Sequence, residues 1–146
     1  MKQALHTKSI LSKILVSLGL VFVLGSAITQ VRGEEDKVPI ITIHGTEEAV
    51  PRGKTGSFVL SMNPIMFGER YVNFSVKGTA IPGVDYVSLV SPAHIGKSGY
   101  GVILVQTLPD RRGPASRLSY SVVVTLEPGP GYAVGESRSA QIMIKP

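Results

Sequence analysis

The chain has 146 residues, with 15 lysines and arginines, 10 aspartates and glutamates, and no cysteine. The lack of cysteine excludes disulfides, a lipoprotein anchor and a c-type haem. Three of the basic residues lie in an N-terminal segment that we expect to be removed, so the remainder carries 12 basic and 10 acidic residues. Because that balance includes no concentrated basic stripe, we expect no nucleic-acid partner.

Residues 1–27 have the composition of a signal peptide. Lys2, Lys8 and Lys13 precede an apolar run at 14–24, and small residues follow at 25–27. The apolar run of about 11–15 residues is shorter than the roughly 20 that a membrane-spanning helix needs. We therefore expect cleavage, no membrane span afterwards, and an exported protein that is secreted, periplasmic or at the cell surface. An uncleaved N-terminal anchor is the alternative.

The rest of the chain divides into a flexible polar leader at residues 28–37 and a single domain at residues 38–146. From Val38 onward, apolar residues alternate with polar ones, which is typical of half-buried strands. The clearest alternation places five apolar residues on one face between Leu118 and Leu126. The predicted strands are 38–44, 57–62, 71–77, 85–90, 100–107, 118–127 and 139–145.

Proline- and glycine-rich turns separate these runs, and no stretch has sustained helical periodicity. About seven short strands over some 110 residues predict an all-β fold, an antiparallel β-sandwich of immunoglobulin-like form. An internal repeat is not visible in the sequence. We therefore expect one domain of this class.

Residue patterns typical of enzymes are mostly missing from the sequence. His44 and His94 stand alone and belong to no metal-binding spacing. Gly53-Lys54-Thr55 resembles the end of a phosphate-binding loop, but Glu48 stands where the first glycine is required and a strand is predicted to follow. We therefore expect a protein that is not an enzyme.

Acidic residues in the predicted loops are candidate ligands for calcium. Glu47 and Glu48 follow the first predicted strand, Asp85 follows a glycine-proline loop, and Asp110 precedes the sixth strand. Calcium takes 6–8 oxygen ligands, and loops at one end of a sandwich can bring several carboxylates together. The sequence leaves a second interpretation open, in which these are separate carboxylates in solvent.

The ten residues from Lys77 to Tyr86 read Lys-Gly-Thr-Ala-Ile-Pro-Gly-Val-Asp-Tyr and resemble the hallmark motif of Calx-beta domains. The stretches 41–60 and 122–144 are similar to the first strands and the last hairpin of that family, so the resemblance covers residues 39–145. It implies an immunoglobulin-like sandwich of the kind found in exchanger regulatory regions, adhesion receptors and bacterial surface proteins. Many members bind calcium at one end, and the matching aspartates here are Asp85 and Asp110.

The sequence departs from the family pattern around the implied calcium site. Pro51 stands where the family often has a glutamate, and Arg111, Arg112 and Arg117 follow Asp110 where further acids are common. Guanidinium groups are always charged near neutral pH, so they repel a dication and compete for the aspartates. An arginine–aspartate link would instead hold the loops together without metal.

The favoured hypothesis is an exported, non-catalytic binding or adhesion module that acts through its loops or sheet edges on a protein or cell-surface partner. It needs no cofactor. The alternative is a calcium-binding regulatory or adhesion module with a weak end-loop site formed by Asp85, Asp110 and Glu48. The sequence leaves the partner and the oligomeric state open.

Overall fold

A computed structural model describes residues 37–113 and 117–146. The predicted signal peptide at 1–27, the leader except for Lys37, and residues 114–116 lie outside the described residues. Within the described part, no helix is long and apolar enough to cross a membrane.

Within residues 37–113 and 117–146, ten strands form two four-stranded sheets and one small two-stranded sheet. The first sheet has the order β7-β3-β1-β9, the second has the order β2-β10-β8-β5, and β4 pairs with β6. Their bounds are β1 Ile40–Gly45, β2 Ala49–Pro51, β3 Thr55–Asn63, β4 Arg70–Val72, β5 Phe74–Lys77, β6 Ala93–Ile95, β7 Tyr100–Gln106, β8 Tyr120–Leu126, β9 Ala133–Val134 and β10 Ser139–Lys145.

The long strands pair antiparallel, and the short strands β9 and β2 add in parallel, to β1 and β10. Alternating burial along β3 and β7 turns one set of side chains inward and the other outward. The apolar faces of the two sheets form the core between them. Its most completely buried members are Phe58, Ile41, Ile43, Leu60, Ile95, Ile142, Ile144, Val50, Val72, Val105, Val122 and Val124. The predicted all-β, immunoglobulin-like sandwich is confirmed.

The predicted strand at 85–90 is wrong. Within 85–90 only Tyr86 makes β-bridges, to Thr107 and to Pro82, and the Val87 N–H donates to the Gln106 carbonyl. Beyond that point the chain forms no ladder with β7, and within the described residues it next pairs in β6, with β4. The alternating pattern of 85–90 is therefore not matched by a partner strand, which the sequence of the segment alone cannot reveal.

The predicted strand at 71–77 is divided at Asn73 into β4 and β5, which join different sheets. The N–H of Asn73 donates to the Tyr132 hydroxyl at 3.0 Å instead of to a neighbouring strand. The same hydroxyl donates to the Glu127 carbonyl at 2.7 Å. Tyr132 thus satisfies two backbone groups where the chain passes from one sheet to another.

Replacing Tyr132 by phenylalanine should lower the free energy of unfolding by about 1–2 kcal/mol, because both backbone groups lose their partner in a partly buried place. Urea unfolding of the variant would measure the loss. Tyr71→Phe is the matched control, since the Tyr71 side chain is exposed. Equal stability of the two variants would contradict this role for the Tyr132 hydroxyl.

Candidate functional site

Three loops meet at one end of the sandwich, around the carboxylate of Asp85. They are the turn after β2, the loop at 81–86, and the loop after β7. The Thr107 hydroxyl donates to the Lys54 carbonyl at 2.6 Å and accepts from the Lys54 N–H at 3.1 Å. Leu108 N–H donates to the Asp85 carbonyl at 2.9 Å. Hydrogen bonds from the Thr107 hydroxyl and from the backbone therefore fix the three loops relative to one another.

Asp85 is fully buried and closes its own loop. Its N–H donates to the Ile81 carbonyl at 2.8 Å, and its Oδ2 accepts from the Ile81 N–H, also at 2.8 Å. Pro82 and Gly83 form the turn between them, with Gly83 at a φ of 81°. The aspartate of the hallmark motif is therefore an internal anchor of the loop as well as a charged group.

Two guanidinium groups from different loops meet at the other oxygen of Asp85. Arg52 Nη2 donates to Asp85 Oδ1 at 2.7 Å, and Arg112 Nη2 donates to the same oxygen. Arg52 Nη1 also donates to the Leu108 carbonyl at 3.1 Å. The buried charge of Asp85 is thus compensated by protein groups, as a buried carboxylate requires.

Asp110 completes the cluster as its second carboxylate. Its Oδ1 accepts from the N–H of Arg112 at 2.9 Å and from Arg112 Nε at 3.1 Å. Its Oδ2 lies 3.6 Å from Arg52 Nε. Two aspartates and two arginines therefore form an interlinked cluster whose charges balance, and we call Arg52, Asp85, Asp110 and Arg112 the four-residue charge cluster.

The ring of Tyr120 on β8 lies against both guanidinium groups. The ring centroid is 4.1 Å from Arg112 Cζ and 5.5 Å from Arg52 Cζ, within the range of cation–π attraction. The half-buried aromatic ring shields one side of the charge cluster from water and so strengthens its internal contacts.

The contacts of Asp85 control its ionisation. Burial alone raises the pKa of the Asp85 carboxyl, but the Ile81 N–H and the two guanidiniums outweigh that effect and hold the pKa below its usual value. Burial, together with the negative charge of Asp85, raises the pKa of the Tyr86 hydroxyl. The hydrogen bond to Asp110 raises the pKa of Arg112 further. Asp85 is therefore an anion at neutral pH.

This arrangement does not fit the calcium ion that the family resemblance implies. Asp85 uses Oδ1 for two guanidiniums and Oδ2 for a backbone donor, so an ion would have to displace them. Glu48 is exposed, and its carbonyl accepts from Met143 on β10. Among residues 37–113 and 117–146, no three His, Asp or Glu side chains gather in a group that could hold a metal.

The sequence-based candidates are therefore brought together only in part. Asp85 and Asp110 share the charge cluster, whereas Glu48 belongs to the exposed segment before β2. Arg112 contacts both aspartates, as expected of an arginine–aspartate link. Arg52 was missed as a site residue, although its position in a Pro-Arg-Gly turn at a loop end was the available signal.

Comparison with known proteins gives structural matches only. No protein family and no curated protein matches the sequence. A solved structure of the apo form of the Calx CBD1 domain is similar, with a TM-score of 0.55, 14% sequence identity, and coverage of 75% of this chain and 97% of that one. The Dscam1 Ig7 domain, isoform 9, aligns over the same share of this chain at 13% identity, but its TM-score of 0.30 supports no conclusion about the fold. The predicted Calx-beta-like fold is confirmed, and at this identity the likeness extends to the fold alone.

Proposed function

We propose that this chain is a non-catalytic binding or adhesion module whose loop end is held together by arginine–aspartate contacts instead of by a metal ion. The observation that carries the proposal is the pairing of buried Asp85 with Arg52 and Arg112. In a calcium module, an ion would neutralise the aspartates and fix the loops. Here two guanidiniums supply both the charge and the hydrogen bonds.

The consequence for function is that binding of a partner at the loop end does not depend on calcium. Arg52 is almost completely buried and comes from the turn after β2, while Arg112 comes from the loop after β7. Each arginine therefore joins two loops that an ion would otherwise have to join. The loops keep their arrangement at any calcium concentration, which suits a module with a constant partner better than a calcium-regulated one.

The remaining parts of the proposal concern location and partner. We propose that residues 1–27 are a cleaved signal peptide, that residues 38–146 are the working domain, and that the domain binds a protein or cell-surface partner outside the cytoplasm. The signal-like sequence and the sandwich architecture support this view. N-terminal sequencing of the exported protein would identify the cleavage point, and a chain that begins at Met1 would contradict it.

Calcium should leave the thermal stability of the native chain unchanged. A site with a Kd of about 1 mM would add about 1.4 kcal/mol at about 10 mM calcium, a rise in Tm of several degrees. We expect no such rise and no heat of binding by calorimetry, with magnesium at equal ionic strength as the control. A saturable calcium response of the native chain would favour the alternative of a weak calcium site.

Arginine variants test whether the guanidiniums are the reason that the native chain does not respond to calcium. Arg52→Gln with Arg112→Gln frees the Asp85 oxygen and should introduce a calcium-dependent rise in Tm. Arg111→Gln is the matched control, because this neighbouring arginine is exposed and lies outside the charge cluster. If the double variant does not fold, Arg112→Gln alone provides the same comparison. A folded variant without any calcium response would show that the arginines do not stand in for the ion.

A further inference from the structure

The four sheet edges of the sandwich differ in how well they are protected. Strand β9 has only two residues, β2 has three and ends at Pro51, and β5 has four and ends at Lys77. Shortness, proline and lysine are the features that keep sheet edges from pairing with other chains. Strand β7 has seven residues, none of them charged and none of them proline. It is the unprotected edge among the described strands.

Along β7, the backbone N–H and C=O groups of successive residues are directed alternately towards β3 and away from it. The Gly99 carbonyl accepts from the Met62 N–H, and the Thr107 N–H donates to the Lys54 carbonyl. The odd-numbered residues of β7 therefore direct their N–H and C=O groups towards β3. The even-numbered residues consequently direct these backbone groups away from β3, to the open side of the sheet edge. Of these, the carbonyls of Tyr100 and Gln106 accept from the chain's own Gly96 and Val87 N–H groups.

Between those two closing contacts, Val102 and Leu104 direct their N–H and C=O groups outward, and within the described residues no backbone partner pairs with them. The chain between Val87 and Gly96 does not form a ladder with β7 here, although β6 passes close to it and a Cβ on Gly101 would overlap the His94 carbonyl. A groove of about 280 Å³ lies between this segment and β7, lined by residues 88–90 and 92–94 on one side and by residues 102–104 on the other. The open stretch of three residues is about 10 Å long.

The outward side chains beside this opening are apolar. Tyr100, Val102 and Leu104 are 57%, 54% and 62% exposed. On the neighbouring β3, the same face presents Ser57, Val59 and Ser61, which pair with these residues in register. No lysine, arginine, aspartate or glutamate lies on this face of β7, β3 or β1. The face therefore suits an uncharged, apolar ligand.

We propose that the open stretch of β7 binds a short extended segment of a partner protein, about three residues long and apolar, which adds to the sheet as a further strand. The unpaired backbone groups of Val102 and Leu104 supply the hydrogen bonds, and the apolar face accepts the side chains. A second copy of β7 fits less well. Its seven residues are longer than the open stretch, so its ends and the segments that flank them would overlap this chain at Val87 and Gly96. The inference rests on the proposal that the chain is a binding module.

The test is a titration of the ¹⁵N-labelled full chain with a blocked pentapeptide, acetyl-Ser-Val-Val-Val-Ser-amide. We expect saturable downfield shifts of the Val102 and Leu104 amide protons. A copy of the peptide methylated on its three valine nitrogens cannot donate from its central residues and should bind at least tenfold more weakly. Shifts that map to other strands, or equal binding of both peptides, would overturn the proposal.

Variants of β7 provide a second test of the proposed binding. Val102→Pro removes only an outward N–H, so β3 pairing is kept while peptide affinity should fall at least tenfold. Leu104→Lys changes an exposed side chain and should weaken binding similarly if the proline variant does not fold. Leu118→Ala, an exposed apolar residue outside β7, is the matched control. Unchanged affinity in both β7 variants would overturn the proposal. Calcium responses test the module proposal separately, so the two can fail independently.

Discussion

Asp85→Asn is expected to lower the free energy of unfolding by about 3–5 kcal/mol, the usual effect of removing one partner of a buried ion pair. The amide keeps the shape of the side chain, but its neutral group leaves Arg52 and Arg112 without their shared counter-charge. Leaving Arg52 without this partner destabilises the fold more than leaving Arg112 without it, because the Arg52 side chain is only 8% exposed. Chemical unfolding at neutral pH would measure the loss.

The same variant should remove part of the acid sensitivity of the protein. The pKa of Asp85 is lowered on folding from its ordinary value of 3.8. Its stabilising contribution is therefore fully present above about pH 4 and is lost as the pH falls through the lower, folded pKa. Native stability measured from pH 7 downward should show this loss, and Asp85→Asn should lack it.

Glu48→Gln is the matched control for both measurements. It makes the same carboxylate-to-amide change at another residue of the predicted calcium site, but Glu48 is exposed. We expect this variant to unfold as the native chain does. Asp85→Asn with the stability of Glu48→Gln would show that the charge cluster does not hold the loop end.

The sequence predicted the sandwich well because period-two burial is a local property of each strand. The alternation in β3, β7, β8 and β10 follows directly from which side chains face the core. Where it failed, the deciding partner was distant in sequence. Asn73 leaves the ladder because it meets Tyr132, 59 residues away. Such a contact has no local signature.

The candidate site was predicted in the same uneven way. Asp85 and Asp110 were identified from the motif, and the arginines after Asp110 were expected to oppose a cation. Arg52 is 33 residues from Asp85, in a turn whose proline and glycine account for its sequence pattern without a functional role. Only the folded chain shows that this turn delivers a second guanidinium to the same carboxylate oxygen.

Gly78→Ala should be nearly as damaging as the change at Asp85, with a loss of about 3 kcal/mol. Gly78 has a φ of 124°, which costs a residue with a side chain about 1–2 kcal/mol by analogy with left-handed backbone. A Cβ there would also lie 2.2 Å from the Ser121 carbonyl oxygen of β8. Relieving that overlap requires a backbone shift, which adds about 1–3 kcal/mol.

Gly83→Ala separates the two effects. Gly83 lies in the same hallmark motif with a φ of 81°, but a Cβ there meets nothing within 4 Å. We expect this control to lose only the conformational part, about 1–2 kcal/mol. The excess loss in Gly78→Ala then measures how tightly the loop crosses β8, where Ala80 N–H also donates to the Ser121 carbonyl at 3.0 Å. Equal losses would mean that the first glycine of the motif is needed for its backbone angle alone, and that the close crossing contributes little to holding Asp85 in place.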